Sequence, residues 1–402
     1  MRNDPILFEQ LPAGRRSLRI AIVTETYPPE VNGVAMTVGR FVSGLHQLQH
    51  EVQLVRPRQD SADRAGSGER FQEVLQRGIP IPRYPALKMG LPAKQALTRL
   101  WSVKRPDVVH IVTEGPLGWS AVQAARKLRL PISSDFHTNF HAYSRHYGIG
   151  WLKTPIAAYL RKFHNGTHCT MVPTGAMRDE LIEMGFRNLR VVARGVDVSL
   201  FDPARRSETL RQSWGAGPSD PVALYVGRLA AEKNLSAVVA AFEAMRMRCK
   251  NARFVLVGDG PEAPSLAAKH PNYVFAGLRI GEDLATHYAS GDIFLFPSLT
   301  ETYGNVTVEA MASGLAVVAY DYAAAAEHIR HGDNGLLADY ANLGDCVRHA
   351  AELITDAQRI ATYGARARAT ALGLDWNRVV RELESVFMAV ADPHAQAVDF
   401  PG

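Results

Sequence analysis

The sequence predicts an α/β protein of two Rossmann-like domains that face one another, with a C-terminal helix that crosses back to the first domain. Short apolar runs alternate with helical patterns in two separate series, which is typical of parallel sheets. A polar stretch rich in Pro, Gly and Ser, residues 197–220, lies between the two series. The length of 402 residues suits two to three domains of ordinary size.

The first series defines a domain over residues 1–200. Its opening strand leads through a Pro/Gly loop and a helix to a second strand, and two further apolar runs each precede a helical pattern. The predicted strands are 18–23, 51–55, 108–112 and 131–136, and the predicted helix is 36–48.

The second series defines a domain over residues 201–375, and residues 376–402 form the C-terminal segment. The amphipathic pattern of residues 376–391 predicts the helix that returns to the first domain. The predicted strands are 221–226, 253–257, 274–275, 293–296 and 315–319, with a helix over 235–247.

Composition excludes several classes of protein. With 47% hydrophobic and 21% charged residues, the chain is not a mostly disordered one. Its three cysteines are far apart and include no CxxC pair, so neither a disulfide framework nor a cysteine zinc site is expected. No apolar run has the form of a signal peptide or a membrane span, and we predict a cytoplasmic protein.

The net charge of +5 is unevenly distributed. Residues 1–200 hold 27 Lys and Arg against 16 Asp and Glu, whereas residues 201–402 hold 18 against 24. This asymmetry favours a basic face that meets nucleic acid, a membrane or an anionic ligand, unless the surplus Arg residues are simply scattered over the surface. No nucleic-acid recognition module is present, so nucleic acid is not predicted as a partner.

Two basic segments of the first domain are candidates for a membrane-facing surface. In residues 88–105 and 145–163, apolar residues recur near helical spacing and Lys or Arg residues flank them. Such segments can lie on anionic lipid, or they can bury the same apolar stripe in the core. The apolar residues concerned are Leu91, Leu97, Leu100, Trp101, Trp151, Leu152, Ile156, Tyr159, Leu160 and Phe163.

The loops that directly follow the strands are the places to look for a ligand, because open parallel sheets bind ligands beyond the carboxyl ends of their strands. After strand 221–226 the sequence carries Arg228 and Lys233 where a helix is expected to start. Two cations at a helix N-terminus suit a bound diphosphate, or they pair with Glu232 or other nearby acids.

After strand 293–296, Gly304 and Asn305 permit a sharp turn into a helix, with Glu301 in the loop and Glu309 about one turn into the helix. Carboxylates beside a phosphate site suit sugar or ribose hydroxyls, since an ionised carboxylate is a strong acceptor. Either glutamate could instead be a simple favourable charge near a helix N-terminus.

A rival pattern follows strand 253–257. Residues 258–263 fit GxGxxA, the fingerprint of dinucleotide-binding domains, and Glu282 follows some 24 residues later. The match lies in the middle of the chain and has Pro261 inside the turn, so it does not support a dehydrogenase.

In the first domain, Gly33 follows the opening strand, and a glycine there lets backbone approach a ligand closely. His137 follows strand 131–136 and is therefore expected at the same edge of the cleft. His137 and His141 lack an acidic third partner, so they do not predict a metal site, and no GxSxG, Walker A, HExxH or DxD motif occurs.

Together these residues resemble the retaining glycosyltransferases of family 4, which have the two-domain GT-B fold. The resemblance covers nearly the whole chain and is most specific in residues 227–234 and 301–314, where the family has two glutamates separated by seven residues. Residues 195–203 and 257–261 also look like family signatures. The branch that the chain resembles is that of bacterial α-mannosyl- and glucosyltransferases.

The resemblance implies a nucleotide diphosphate sugar as donor, with no metal or other cofactor. Arg228 and Lys233 would clamp the diphosphate, Glu309 would accept from the ribose, and Glu301 would accept from the transferred sugar. The base would lie along residues 277–284. The implied catalytic residues are His137, Glu301, Arg228 and Lys233, and the implied donor site is Gly33, Arg228, Lys233, Gly258, Glu301, Tyr303, Gly304, Asn305, Val306 and Glu309.

The implied reaction transfers a hexose with retention, through an oxocarbenium-like state in which a leaving phosphate oxygen takes the acceptor proton; a covalent intermediate is the alternative. One departure concerns residues 321–327, which read Asp-Tyr-Ala-Ala-Ala-Ala-Glu where the family often has a glycine pair. Sugar contacts in that loop therefore cannot be transferred from the family.

The resemblance thus implies a GDP-mannose-dependent α-mannosyltransferase. Together with the basic charge of the first half of the chain, it favours a lipid acceptor and peripheral contact between the N-terminal domain and the cytoplasmic side of the inner membrane. A UDP-glucose-dependent glucosyltransferase that makes glycolipid is the alternative within the class. A non-catalytic nucleotide-sugar-binding protein and a GT-B-like nucleotide-sugar epimerase are the alternatives outside it.

Overall fold

The computed structural model describes residues 16–30, 32–81, 84–137 and 153–392. Its strands in the first half of the chain are β1 Arg19–Val23, β2 Glu51–Pro57, β3 Ser67–Gly68, β4 Phe71–Gln76, β5 Gly78–Ile81, β6 Tyr84–Gly90, β7 Val108–Ile111, β8 Ile132–Asp135, β9 Cys169–Val172 and β10 Leu189–Val191. Eight of them form one sheet in the order β10-β9-β8-β7-β1-β2-β4-β3, and β5 and β6 form a separate antiparallel hairpin.

The second half of the chain forms a parallel sheet of six strands. These are β11 Val222–Val226, β12 Arg253–Val257, β13 Val274–Gly277, β14 Ile293–Phe296, β15 Ala316–Tyr320 and β16 Leu336–Ala338. Their order is β13-β12-β11-β14-β15-β16, so β11 and β14 lie side by side at the centre. Both central strands are buried along their whole length, as expected for a sheet covered on two faces.

Helices cover the sheets. They are α1 Gly33–Gln47, α2 Lys94–Val103, α3 Pro116–Lys127, α4 Lys153–His164, α5 Gly175–Glu183, α6 Glu208–Ser213, α7 Leu235–Arg248, α8 Ala263–Lys269, α9 Gly281–Ala289, α10 Asn305–Ala312, α11 Ala323–His328, α12 Leu343–Leu353, α13 Ala357–Ala371 and α14 Trp376–Val390. Within the described residues, single-turn 3₁₀ segments occur at Pro203–Arg205 and Ala231–Lys233.

The C-terminal helix α14 packs on the first domain, as the sequence predicts. Leu383 and Phe387 are fully buried in the same apolar cluster as residues of β1 and α1. Gly44 of α1 faces Val380 so closely that a Cβ on Gly44 would lie 2.5 Å from Val380 Cγ2. A small residue at Gly44 therefore lets the two helices approach one another.

Four of the apolar side chains proposed for a membrane surface are buried in the core, but Tyr159 is 40% exposed. Leu97 and Trp101 of α2 are fully buried, and so is Phe163 of α4, with Leu160 only 4% exposed. The membrane interpretation of these four side chains is wrong, because they already pack in the apolar clusters of the first domain. Trp151 and Leu152 lie outside the described residues. No helix in the described part of the chain has the length and apolarity needed to cross a membrane.

Other differences from the predicted elements are local. Helix α1 begins three residues earlier than its apolar pattern indicates, because the Asn32 side chain accepts a hydrogen bond from Ala35 N at 2.8 Å and caps the helix. The strands between residues 67 and 90 were not predicted. All three cysteines, Cys169, Cys249 and Cys346, are free.

Candidate active site

The loop after β11 brings its two cations to the cleft, but outside the helix. Lys233 ends a 3₁₀ turn, and Asn234 adopts a left-handed conformation before α7 starts at Leu235. Lys233 therefore lies just before the helix, whose start agrees with the predicted 235–247, and Arg228 lies in the preceding loop. Asn234 Nδ2 donates to Pro297 O at 2.9 Å, which ties this loop to the one after β14.

Glu301 is the partner of Lys233. Lys233 Nζ lies 2.5 Å from Glu301 Oε1, and Ser298 Oγ donates to the same oxygen at 2.6 Å. The two side chains are 20% and 13% exposed, respectively, so the pair is largely shielded from water. Arg228 is more open, at 44% exposed, and its Nη1 lies 3.4 Å from Glu232 Oε1. Pairing with acids therefore does occur at both cations.

Gly304 starts α10 with φ of +91°, a left-handed conformation that favours glycine. The helix that follows directs its first N–H groups into the cleft, as does α1 from the first domain. A Cβ on Gly33 would lie 3.6 Å from Asn305 Nδ2, so the two helix N-termini face one another at close range. Their partial positive charges converge on the same space, which suits an anion.

Glu309 lies one turn into α10, where Tyr288 OH donates to its Oε2 at 2.9 Å. Burial raises the pKa of Glu309 to about 7, although the hydrogen bond from Tyr288 acts in the opposite direction. Tyr288 belongs to α9 and was missed by the sequence analysis, since nothing in its local pattern indicates a contact with α10.

His137 lies against a buried charged group. Its Nε2 is 3.3 Å from Oδ2 of Asp135, a fully buried carboxylate at the end of β8. Arg194 Nη2 and His110 Nε2 approach the same oxygen at 3.6 and 3.7 Å. Burial alone would raise the pKa of Asp135, but Arg194 and then His110 and His137 outweigh it and hold the pKa well below its usual range.

The same histidine also joins the two domains. Thr302 Oγ1, in the loop after β14, donates to His137 O at 3.0 Å. The His137 side chain is 11% exposed and lies next to the loop that carries Glu301. Residues predicted from both halves of the sequence are thus brought together around one cleft.

Comparison with known proteins agrees with this geometry. A family model described as Glycosyltransferase Family 4 matches residues 31–200, and one described as Glycosyl transferases group 1 matches residues 220–356. A GDP-mannose-dependent alpha-mannosyltransferase of Mycobacterium tuberculosis is 34% identical over 383 residues, covering 93% of this chain and 97% of that protein. The chain belongs to glycosyltransferase family 4.

Further relatives of this family-4 glycosyltransferase are named for different reactions. A GDP-mannose-dependent alpha-mannosyltransferase of Corynebacterium glutamicum is 33% identical, covering 86% of this chain and 82% of that one. An alpha-monoglucosyldiacylglycerol synthase of Acholeplasma laidlawii is 28% identical, covering 75% of this chain and 80% of that one.

Solved structures with the same fold include sucrose-phosphate synthase of Thermosynechococcus elongatus, with a TM-score of 0.76, 16% identity and coverage of 93% of this chain and 98% of that one. Anabaena HepE, in complex with UDP, has a TM-score of 0.72 at 18% identity, with coverage of 92% and 100%. These likenesses concern the fold alone, and they confirm the GT-B architecture of the glycosyltransferase.

Two predicted donor residues, Tyr303 and Val306, have side chains that pack within the protein. Tyr303 is 5% exposed, and its hydroxyl donates to Arg194 O at 3.0 Å and lies 2.8 Å from His328 Nε2. Its side chain is therefore part of the domain contact and does not face the donor. The Val306 side chain packs on the core of the second domain. Each of these two residues can meet a donor only through its backbone.

Gly258, with φ of +134°, lets two loops of the glycosyltransferase pack together. A Cβ here would lie 2.0 Å from Gly227 O, and Gly258 N already donates to Gly277 O at 2.9 Å. Its N–H group is thus used within the protein. Glycine is therefore required at this position for the packing of the two loops, independently of any ligand that they bind.

The loop over residues 321–327, which departs from the family pattern, contacts the backbone of Glu301. Tyr322 OH donates to Glu301 O at 2.9 Å, and Ala324 N donates to Tyr303 O at 2.8 Å. Ala323 occupies a left-handed conformation, with φ of +53°, that a glycine would adopt more easily. Among the described residues, no group of three or more His, Cys, Asp or Glu could hold a metal ion; independence from metal stays a prediction.

Proposed function

We propose that this glycosyltransferase transfers mannose from GDP-mannose to a lipid acceptor, with retention at the anomeric carbon. The single observation that carries the proposal is the convergence of the Lys233–Glu301 pair with the facing N-termini of α1 and α10. This arrangement provides cations and N–H donors for a diphosphate and a carboxylate for sugar hydroxyls. The names of the relatives at 33% and 34% identity support GDP-mannose as the donor.

In this proposal the second domain holds the donor. Arg228 and Lys233 bind the diphosphate, and Glu309, when ionised, accepts from the ribose hydroxyls. The guanine lies along residues 277–284, where Leu278 and Ile280 are 61% and 60% exposed and offer apolar surface to a base. Glu301 accepts from hydroxyls of the mannose.

The proposed chemistry follows from charge. As the bond between sugar and phosphate breaks, negative charge builds on the departing diphosphate, and fixed cations with helix N–H groups stabilise it where it develops. The acceptor hydroxyl oxygen bonds to the anomeric carbon on the face that the phosphate leaves, and its proton passes to a phosphate oxygen of the leaving group. His137 lies over the reacting sugar, in an orientation set by its contact with Asp135.

The acceptor is proposed to be a lipid at the cytoplasmic face of a membrane. The glycolipid synthase among the relatives supports this, and so does the excess of 27 Lys and Arg over 16 Asp and Glu in residues 1–200. A basic domain of this kind is attracted to anionic lipid without any buried apolar helix.

Donor protection tests the proposal. Thermal unfolding is followed with GDP, UDP, ADP and dTDP for the wild type, for Lys233→Ala and for Lys250→Ala, an exposed lysine of the same domain. A nucleotide at about 100 times its Kd adds roughly 2.7 kcal/mol of stability. We expect GDP to protect the wild type and Lys250→Ala but not Lys233→Ala.

Other outcomes have definite meanings. Protection by UDP instead of GDP would replace the proposed donor by a UDP-sugar, and protection by none would remove the donor site. With GDP-mannose, turnover that needs no acceptor would indicate an epimerase or hydrolase, and binding without turnover would indicate a non-catalytic protein. Product formation that depends on added lipid is the result expected.

A further inference from the structure

A basic cavity lies in the first domain, beside the cleft and outside the donor site. Its volume is about 580 Å³, within the range of small-molecule sites, and it is lined by Arg58, Gln59, Asp60, Ser61, Leu75, Gln76, Arg77, Gly78, Lys88 and Leu91. Three of these residues are cations and one is an acid.

The fold puts the cations at the functional edge of the sheet. Arg58 directly follows β2 and Arg77 directly follows β4, so both lie at the carboxyl ends of parallel strands. Lys88 comes from β6, opposite Pro80 in the neighbouring hairpin. Carboxyl ends of strands are where this architecture binds ligands.

The cavity lining has a net positive charge, with three cations against one acid, and Arg58 also acts on the nearby carboxylate of Asp63. Two acids near the lining, Asp63 and Glu73, form ion pairs with Arg56, at 2.7 and 3.2 Å. Asp60 in the lining turns its Oδ1 onto the loop backbone, where Ala62 N and Asp63 N donate to it. Arg58, Arg77 and Lys88 form no ion pair with any described carboxylate.

A chain of hydrogen bonds connects the cavity to the cleft. Gln59, in the lining, donates through Nε2 to Glu30 Oε1 at 2.5 Å, and Glu30 Oε2 accepts from Thr26 Oγ1 at 2.5 Å. Asn32 Nδ2 donates to the same Thr26 oxygen at 2.7 Å, and Asn32 caps the helix that starts at Gly33. A group held in the cavity is thus adjacent to the loop that faces the donor.

We propose that this cavity binds an anionic group on the polar head of the acceptor, a carboxylate or a phosphate, through Arg58, Arg77 and Lys88. This inference rests on the proposed function, since it defines the acceptor class for that reaction. Guanidinium groups bind both anions with paired N–H donors, so the cavity selects charged acceptors over neutral ones of the same size.

Soluble head groups test the cavity without the transfer reaction. Thermal unfolding is followed with methyl glucuronide against methyl glucoside, and with inositol 1-phosphate against inositol, for the wild type, the Arg58→Ala/Arg77→Ala double variant and Arg99→Ala, an exposed arginine of the same domain. We expect at least one anionic compound to protect the wild type and Arg99→Ala, with protection lost in the double variant and kept in Lys233→Ala.

Transfer from GDP-mannose to lipids in neutral detergent then distinguishes the two sources of charge. The acceptors are glucuronosyl diacylglycerol, phosphatidylinositol and neutral glucosyl diacylglycerol. In the double variant, KM for the preferred anionic acceptor should rise about tenfold or more, as expected when one or two charge-assisted hydrogen bonds are lost, with GDP protection unchanged. Protection by no anionic compound, or equal protection of the double variant, would overturn the cavity proposal. If GDP fails to protect the wild type, the proposed donor is overturned and the cavity proposal is not.

Discussion

Lys233 Nζ lies 2.5 Å from Glu301 Oε1, so the cation proposed for the diphosphate and the carboxylate proposed for the sugar hold one another. The pair spans the loops after β11 and β14, the two adjacent central strands of the second sheet. In the proposed site, a bound donor separates this pair, with its phosphate beside Lys233 and its sugar hydroxyls beside Glu301.

Neutralising Glu301 should therefore strengthen the binding of the bare nucleotide. In Glu301→Gln, no carboxylate at position 301 competes with the diphosphate for Lys233. We therefore expect the Kd of GDP to fall several-fold. The kcat of transfer should fall by about 100-fold or more, because a contact with the transferred sugar is lost. Isothermal calorimetry and initial rates give the two values. Weaker GDP binding in this variant would mean that Glu301 positions Lys233 and does not compete for it.

Gly33→Ala should separate donor binding from folding. The added Cβ meets Asn305 Nδ2 at 3.6 Å, an ordinary contact, and alanine favours a helix more than glycine does. We expect an unchanged or slightly higher Tm, with a large loss of transfer because a methyl group occupies the approach to the diphosphate. Met36→Ala, on an exposed position of the same helix, is the control. Full activity of Gly33→Ala would remove Gly33 from the site.

Glu309 should give the protein a characteristic pH dependence. Its pKa is about 7 in the folded chain against an ordinary 4.5, so between these values the folded state binds a proton that the unfolded state has released. Stability from this group accordingly falls as pH rises from about 4.5 to about 7. In thermal scans without ligand, we expect the difference in Tm between Glu309→Gln and the wild type to shift in favour of the variant as pH rises over that range.

Nucleotide binding should show the opposite trend at the same residue. If Glu309 accepts from the ribose as a carboxylate, GDP binding strengthens as the group ionises toward about pH 8. Glu309→Gln should lack the part of this change that comes from Glu309. The pH dependence that remains in the variant includes the ionisation of the nucleotide itself, so the variant serves as the control for it. Identical pH profiles for the two proteins would place the ribose elsewhere.

Asp135 and His137 should respond differently to substitution. The depressed pKa of Asp135 means that its ionised form contributes stability above about pH 4, which is lost only as pH falls through the folded value. Asp135→Asn leaves Arg194 buried beside a neutral amide, so we expect a clear drop in Tm at pH 7.

His137→Ala removes a ring at the edge of the cleft, and we expect it to lower transfer by about 100-fold with little change in Tm. GDP protection should persist in both variants, since the charged side chains proposed to bind the nucleotide, Arg228, Lys233 and Glu309, lie in the other domain. A neutral effect of Asp135→Asn on Tm would show that the four-residue cluster carries no net stabilisation.

The returning helix α14 should be required for the stability of the first domain. Phe387 is fully buried against β1 and α1, and Phe387→Ala is expected to cost about 3–5 kcal/mol. Arg381→Ala, on the exposed side of the same helix, should be neutral. Denaturant unfolding of the two variants checks this, and equal stability would mean that α14 contributes little to the domain it contacts.

Several site residues could be predicted because strand patterns are local. Arg228, Lys233, Glu301 and His137 follow apolar runs directly, and a parallel sheet brings such positions to one edge. Asp135 could be read as part of the same segment, but its role depends on Arg194, which is 59 positions away. Tyr288 and Glu309 meet because α9 packs beside α10, which no periodicity in either helix indicates.

The sequence by itself determined the two α/β halves, the loops that carry the site and the charge asymmetry, because strand and helix patterns repeat over a few residues. Only the tertiary structure decided which side chains pair, that Tyr303 turns toward Arg194, and that the stripes of α2 and α4 face the core. An amphipathic pattern defines an apolar face but not what covers it. Contacts such as Lys233 with Glu301, 68 positions apart, depend on the order of strands in the sheet, which packing of the whole domain fixes.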